Sequence, residues 1–179
     1  GDQVFMTSNF ADLQPDVEPL GTVSDFVNEF IEAVEPQHLF ETFTRQETAL
    51  FSEYLECFGV PRDSVILREG DEGDFLAILV TGSAVILKSY QGEQKLVHHL
   101  SPGEMIGEMS LVDGQRRYAT CVTTEPSDFA VLTHAHFNEL LANHPRLGNK
   151  FMLALLKHNT ARLREATSLA LPGLLETSV

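Results

Sequence analysis

The chain has 179 residues, 43% of them hydrophobic and 21% charged, which is enough apolar material for one buried core and too little length for two full domains with a linker. Twelve Lys and Arg against 26 Asp and Glu give a formal charge of -14, the wrong sign for a surface that wraps a nucleic-acid backbone, so DNA is not an expected partner. Cys57 and Cys121 sit in apolar runs without a CxxC or Cys/His cluster, and no apolar run approaches the roughly 20 residues of a membrane span; both features argue for a cytoplasmic protein without disulfides, structural zinc or a membrane partner.

Residues 1–44 carry nine acids and no Lys or Arg. Residues 1–20, with Pro15, Pro19 and no sustained period, predict an extended or loosely docked arm. After Ser24, a candidate N-cap, the spacing of Phe26, Val27, Phe30, Ile31 and Val34 predicts an amphipathic helix. A second helix is expected over roughly Arg45 to Cys57, with Leu50, Phe51, Tyr54 and Leu55 on its apolar face and Gly59 and Pro61 ending it. From Ser64 the period shortens. Val65 to Leu67, Phe75 to Val80, Ala84 to Leu87, Leu96 to Leu100, Ala119 to Thr123 and Phe129 to Leu132 read as strands, with Gly70, Gly82, Gly92 and Gly103 as turn formers 12, 10 and 11 residues apart. That rhythm predicts an antiparallel meander or jelly roll.

Pro145 opens a long helix expected to reach about Ser168; its residues 146–164 hold five bases and no acid. Within it Met152, Leu156, Asn159, Leu163, Ala166 and Ala170 follow at spacings of 4, 3, 4, 3 and 4, the rhythm of a two-fold homodimer seam with Asn159 setting register. The alternative is that this stripe packs on its own roll. From Leu169, Pro172 and Gly173 read as a tail. The resulting division is 1–44 as acidic arm and helix, 45–168 as the folded domain with its C-terminal helix, and 169–179 as tail.

The segment that carries chemistry is Gly107-Glu108-Met109-Ser110, followed by Asp113-Gly114 and then Arg116-Arg117-Tyr118-Ala119-Thr120. A glycine, a short helical turn and an arginine entering a strand together suit a small anion, because unpaired backbone N–H groups and a guanidinium fork converge on one point. A carboxylate beside a phosphate makes sense when the same ligand offers a hydroxyl, as a ribose does.

Over about residues 45 to 168 the sequence resembles the cyclic nucleotide-binding domain family, the β-roll of catabolite activator and protein kinase A regulatory proteins. The resemblance rests on Gly107-Glu108 followed about ten residues later by Arg117-x-Ala119-Thr120, with Glu69-Gly70-Asp71, Gly82 and Pro102-Gly103 at the expected turns. It implies a mainly β fold: an eight-stranded jelly roll (double-stranded β-helix) with N-terminal helices and a long C-terminal lid or dimer helix. It also implies a ligand and no cofactor: cyclic AMP or cyclic GMP, with its phosphate on Arg117, its ribose 2′-hydroxyl on Glu108, backbone groups around Gly107, Met109 and Ser110 as cradle, and Tyr118 and Ala119 beside it. Arg162-Leu163 stands where the catabolite activator branch reads adenine with Thr-Ser, which makes Arg162 the candidate base contact. Tyr118 stands where other members have Thr, Ala or Ser and leaves the base preference open. No helix-turn-helix follows before Val179, so no DNA binding is expected of this chain.

Other readings of these residues are a Glu108–Arg117 mutual ion pair on a degenerate roll that serves only dimerisation or protein interaction, and a cupin-like metal site at His134 and His136. The metal reading fails on placement, since that pair follows the last strand, and adjacent His98 and His99 point to opposite faces. Phe51, Phe58 and Phe75 are expected in the core. No nucleophile–base pair is visible, so the expectation is a signal-transducing regulatory module with a protein effector, not an enzyme.

Overall fold

In the computed structural model, residues 17–22 and 26–176 are described; the arm up to Asp16, the Ser24 cap and residues 177–179 lie outside them. Part of the expected arm is a strand, β1 (Glu18–Thr22), paired antiparallel with β2. Helix α1 (Val27–Val34) buries Phe30, Ile31 and Val34, as its period requires. A 3-10 turn, His38–Phe40, leads to α2 (Arg45–Ser52). There Thr44 Oγ1 accepts from the Glu47 N–H at 3.1 Å and Glu47 Oε1 accepts from the Thr44 N–H at 3.0 Å, a closed capping box.

Helix α2 stops at Ser52, five residues short of the expected end, because Glu56–Val60 forms β2. Period two wins there: Cys57 enters the core under the helices, and Phe58 enters the core between the sheets. The roll continues through β3 (Val65–Leu67), β4 (Phe75–Thr81), β5 (Ala84–Tyr90), β6 (Glu93–Leu100), β7 (Met105–Ile106), the short helix α3 (Glu108–Asp113), β8 (Thr120–Thr123) and β9 (Ser127–Thr133). Two antiparallel sheets result, ordered β1-β2-β9-β4-β7 and β3-β8-β5-β6. Residues 56–133 thus supply eight strands, as the jelly roll requires, and β1 adds a ninth at one sheet edge.

Strand β4 explains the unbroken run Phe75 to Val80. Phe75, Ala77 and Leu79 fill the space between the sheets, while Leu76, Ile78 and Val80 face the helices, so both faces are apolar. Phe51 stacks on Phe151 with ring centroids 4.7 Å apart, tying α2 to the last helix. Phe51, Phe58 and Phe75 are all core, and α1 shares that core through Phe30 and Val34.

Helix α4 (His134–Asn143) is capped by Thr133 and followed by α5 (Pro145–Glu176). Where a tail was expected from Leu169, the helix runs on through Pro172. Proline forfeits one backbone hydrogen bond, but the flanking Ala and Leu residues are strong helix formers. Leu147, Phe151, Ala154 and Leu155 bury the first half of α5; Met152, Leu156 and Leu163 of the seam stripe stay 41%, 63% and 67% exposed, so that stripe does not pack on its own roll.

Candidate functional site

A cavity of about 560 Å³ lies between the four-stranded sheet, the β7–α3 turn and α5. Gly107, Glu108, Met109, Ser110, Arg117, Tyr118, Ala119 and Arg162, all singled out in the sequence, line it together.

Gly107 turns the chain from β7 into α3 with φ 81°, and a side chain there would meet Arg117 Nη1 and the Phe75 carbonyl within 3 Å. Only glycine fits on both counts. The first intrahelical bond of α3 is that of the Leu111 N–H to the Gly107 carbonyl at 3.3 Å, so the N–H groups of Met109 and Ser110 precede the ladder.

Arg117 is 4% exposed. Its backbone is held from both sides, the N–H donating to the Asp71 carbonyl at 2.8 Å and the carbonyl accepting from the Gly70 N–H at 2.9 Å. Its Nη1 donates to the Gly107 carbonyl at 3.2 Å, and its Cζ lies 4.5 Å from the Phe75 ring centroid. Gly73 leaves room for the guanidinium, since a Cβ there would overlap it. Nη2 is buried and has no hydrogen-bond partner. Burial pushes the Arg117 pKa down to about 10, while the charges of Asp74 and Glu108 hold it up. A buried guanidinium with an idle donor is costly unless an anion meets it. Arg116, by contrast, points outward, donating to the Gly70 carbonyl at 2.9 Å with Glu72 at 3.5 Å.

Glu108 is 3% exposed, and its Oε1 accepts from Arg162 Nη1 at 3.1 Å. Its ion pair is therefore with Arg162 of α5 and not with Arg117. Arg162, the candidate base contact, is paired with Glu108 in this structure. Thr120 uses its hydroxyl structurally, accepting from the Glu69 N–H at 3.0 Å.

Sequence reasoning missed several cavity residues. His158 and Glu165 line it together with Arg162, and their spacing of 4 and 3 puts them on one face of α5 beside the seam stripe. Burial lowers the pKa of His158 below its ordinary 6.5. Lys88 ends the aliphatic run Ala84–Leu87 of β5 and also lines the cavity. His98 on the β6 wall pairs with Glu104 at 2.8 Å. His134 and His136 open α4, and among the described residues no three His, Cys, Asp or Glu side chains gather around a metal position. Cys57 and Cys121 are free and buried.

Comparison with known proteins agrees with this geometry. The profile of the family described as "Cyclic nucleotide-binding domain" matches residues 57–144. A solved cyclic nucleotide-binding domain from Methylobacillus flagellatus KT is 37% identical, with 92% of this chain and 95% of that one covered and a TM-score of 0.81. The chain belongs to the cyclic nucleotide-binding domain family. It is also similar to the "Cyclic AMP receptor protein" of Thermus thermophilus (28% identical over 129 residues, 72% of this chain) and to the "cAMP-dependent protein kinase regulatory subunit" of Mycosarcoma maydis (33% over 94 residues, 52% of this chain). The matches span 58% and 18% of those two longer proteins. The first relative is a cyclic AMP receptor by name and the second a regulatory subunit.

Proposed function

We propose that the chain is a sensor domain that binds cyclic AMP or cyclic GMP and has no catalytic activity of its own. The observation that carries this reading is the buried Arg117, which lines the cavity and whose Nη2 has no hydrogen-bond partner. A cyclic phosphate would accept from the Arg117 guanidinium and from the N–H groups of Met109 and Ser110. Glu108 would exchange Arg162 for the ribose 2′-hydroxyl, leaving Arg162 free to turn toward the base. The names of the two curated relatives support the same ligand class.

We further propose a homodimer through α5. Met152, Leu156 and Leu163 form an exposed stripe with Asn159 among them, the arrangement of a short two-fold coiled coil. The acidic residues 1–44 supply counter-charge to the basic, acid-free stretch 146–164. Among the described residues no helix is long and apolar enough to cross a membrane, and the two buried free thiols support a reducing, cytoplasmic setting. A protein effector is the remaining partner in this reading, and DNA contact is not proposed for this chain.

One observation favours a second reading, a roll kept for dimerisation alone: Glu108 is already satisfied by Arg162. Calorimetric titration of the native protein with cyclic AMP and cyclic GMP separates the two. Saturable binding of either nucleotide supports the sensor; no heat with either up to millimolar concentration supports the bare dimerisation module.

A further inference from the structure

Tyr118 follows Arg117 directly and lines the same cavity, yet it is 61% exposed where Arg117 is buried. One face of its ring is taken. Lys88 Nζ lies 4.0 Å from the ring centroid, a cation–π contact. That ammonium is itself fixed, donating to Glu69 Oε1 at 2.8 Å and to the Tyr118 carbonyl at 2.6 Å, while Glu69 Oε2 accepts from the Ser89 N–H at 2.9 Å. A lysine usually moves freely about four rotatable bonds; here it is tied to the residue whose ring it covers. The ring is thus braced at the cavity's edge before any ligand arrives. The arrangement offers a flat, largely exposed π-surface one residue from the phosphate-binding cation.

We propose that Tyr118, braced by Lys88, is the residue that receives the base, stacking its open face on the purine of the bound cyclic nucleotide. This rests on the nucleotide reading above and sharpens it. Stacking uses the π-face that every base possesses, so it accepts adenine and guanine alike and favours the larger purines over pyrimidines. The positive charge on the far face draws electron density from the phenol ring and eases its contact with an electron-rich purine. Discrimination between bases then rests on ring size more than on a hydrogen-bond pattern, and cyclic AMP and cyclic GMP are expected to bind within about tenfold of each other.

The test is a titration of native protein, Tyr118→Ala and Tyr118→Phe with cyclic AMP, cyclic GMP and cyclic UMP. Loss of a stacking partner is worth about 5- to 150-fold in affinity. Tyr118→Ala should weaken both purine nucleotides by at least about 5-fold and cyclic UMP by a smaller factor, while Tyr118→Phe stays within about 2-fold of native. A spectroscopic signature accompanies this: the chain has no Trp and three Tyr, so with Tyr54 and Tyr90 replaced by Phe the emission comes from Tyr118 and should be quenched by cyclic AMP. Unchanged purine affinity in Tyr118→Ala, or equal losses for cyclic AMP and cyclic UMP without quenching, would overturn the assignment while leaving the nucleotide site standing. Failure of the native protein to bind any of the three overturns the nucleotide reading, and the assignment with it.

Discussion

On the sheet side of the cavity, Arg117 is 4% exposed, its backbone is bonded in both directions to the Gly70-Asp71 loop, and Phe75 and Gly73 pack its guanidinium. On the helix side, Arg162 has a side chain 59% exposed and makes one hydrogen bond, to Glu108, and every residue of α5 from Thr160 to Leu174 is exposed. The first wall is part of the core and holds its geometry at the core's expense. The second is a helix whose packing ends near Leu155, with an ion pair of the partly exposed kind that contributes about 1 kcal/mol or less. In the proposed reading, phosphate recognition belongs to the closely packed wall, whereas the helix wall can exchange partners cheaply.

The largest effect expected from breaking this contrast is on assembly. Replacing Leu156 and Leu163 with Glu places carboxylates in the proposed seam, which the roll does not cover, so the product should be a folded monomer by light scattering with an unchanged circular dichroism spectrum. A native protein that is monomeric at tens of micromolar, or a double mutant that stays dimeric, would remove α5 as the seam.

On the rigid wall, Arg117→Ala should weaken cyclic nucleotide binding by roughly 10- to 150-fold, the worth of a charged hydrogen bond. The fold should survive, with a melting temperature within about 4 °C of native, since the substitution also removes an unsatisfied buried donor. Calorimetry and thermal unfolding on the same samples check both halves.

A smaller effect is expected where the two walls meet. Native protein should bind a 2′-deoxy cyclic nucleotide about 10-fold more weakly than the ribose form, and Glu108→Ala should narrow that gap. Arg162→Ala should strengthen binding of the ribose form by up to about 5-fold, because the sugar no longer competes for Glu108. A loss of affinity in Arg162→Ala would instead mark it as a direct ligand contact.

The smallest effect is on pH dependence. Burial holds the His158 pKa below 6.5; Glu108 and Glu104 oppose this and Arg162 adds to it. The unfolded chain therefore takes up this proton before the folded one, and stability is full above pH 6.5 and falls as the pH drops below it. His158→Gln should flatten that fall between pH 6.5 and 5 in thermal unfolding; an identical slope in both proteins would assign the pH dependence elsewhere.

The rigid wall was the legible one. Gly107, Glu108 and Arg117 can be read because their chemistry lies within eleven consecutive residues and their backbone needs restrict residue type. The strands from Val65 to Leu132 were equally readable, since glycine turns separate short apolar runs. Legibility failed where tertiary packing decides: Cys57 and Phe58 look like the end of a helix until the sheet claims their alternation, and Glu18 to Thr22 become a strand only because β2 offers an edge. Pro172 marked a helix end that the Leu- and Ala-rich flanks override. The pairing of Glu108 with Arg162 spans 54 residues, and no local pattern announces it.

The most direct test of the central claim is a crystal structure of the protein grown with cyclic AMP. The phosphate should lie within hydrogen-bond distance of the Arg117 guanidinium and of the Met109 and Ser110 N–H groups, with the ribose 2′-hydroxyl on Glu108 and Arg162 displaced from it. Nucleotide bound elsewhere, or a cavity in which the Arg117 guanidinium meets no phosphate and Glu108 keeps Arg162 at saturating ligand, would contradict the account.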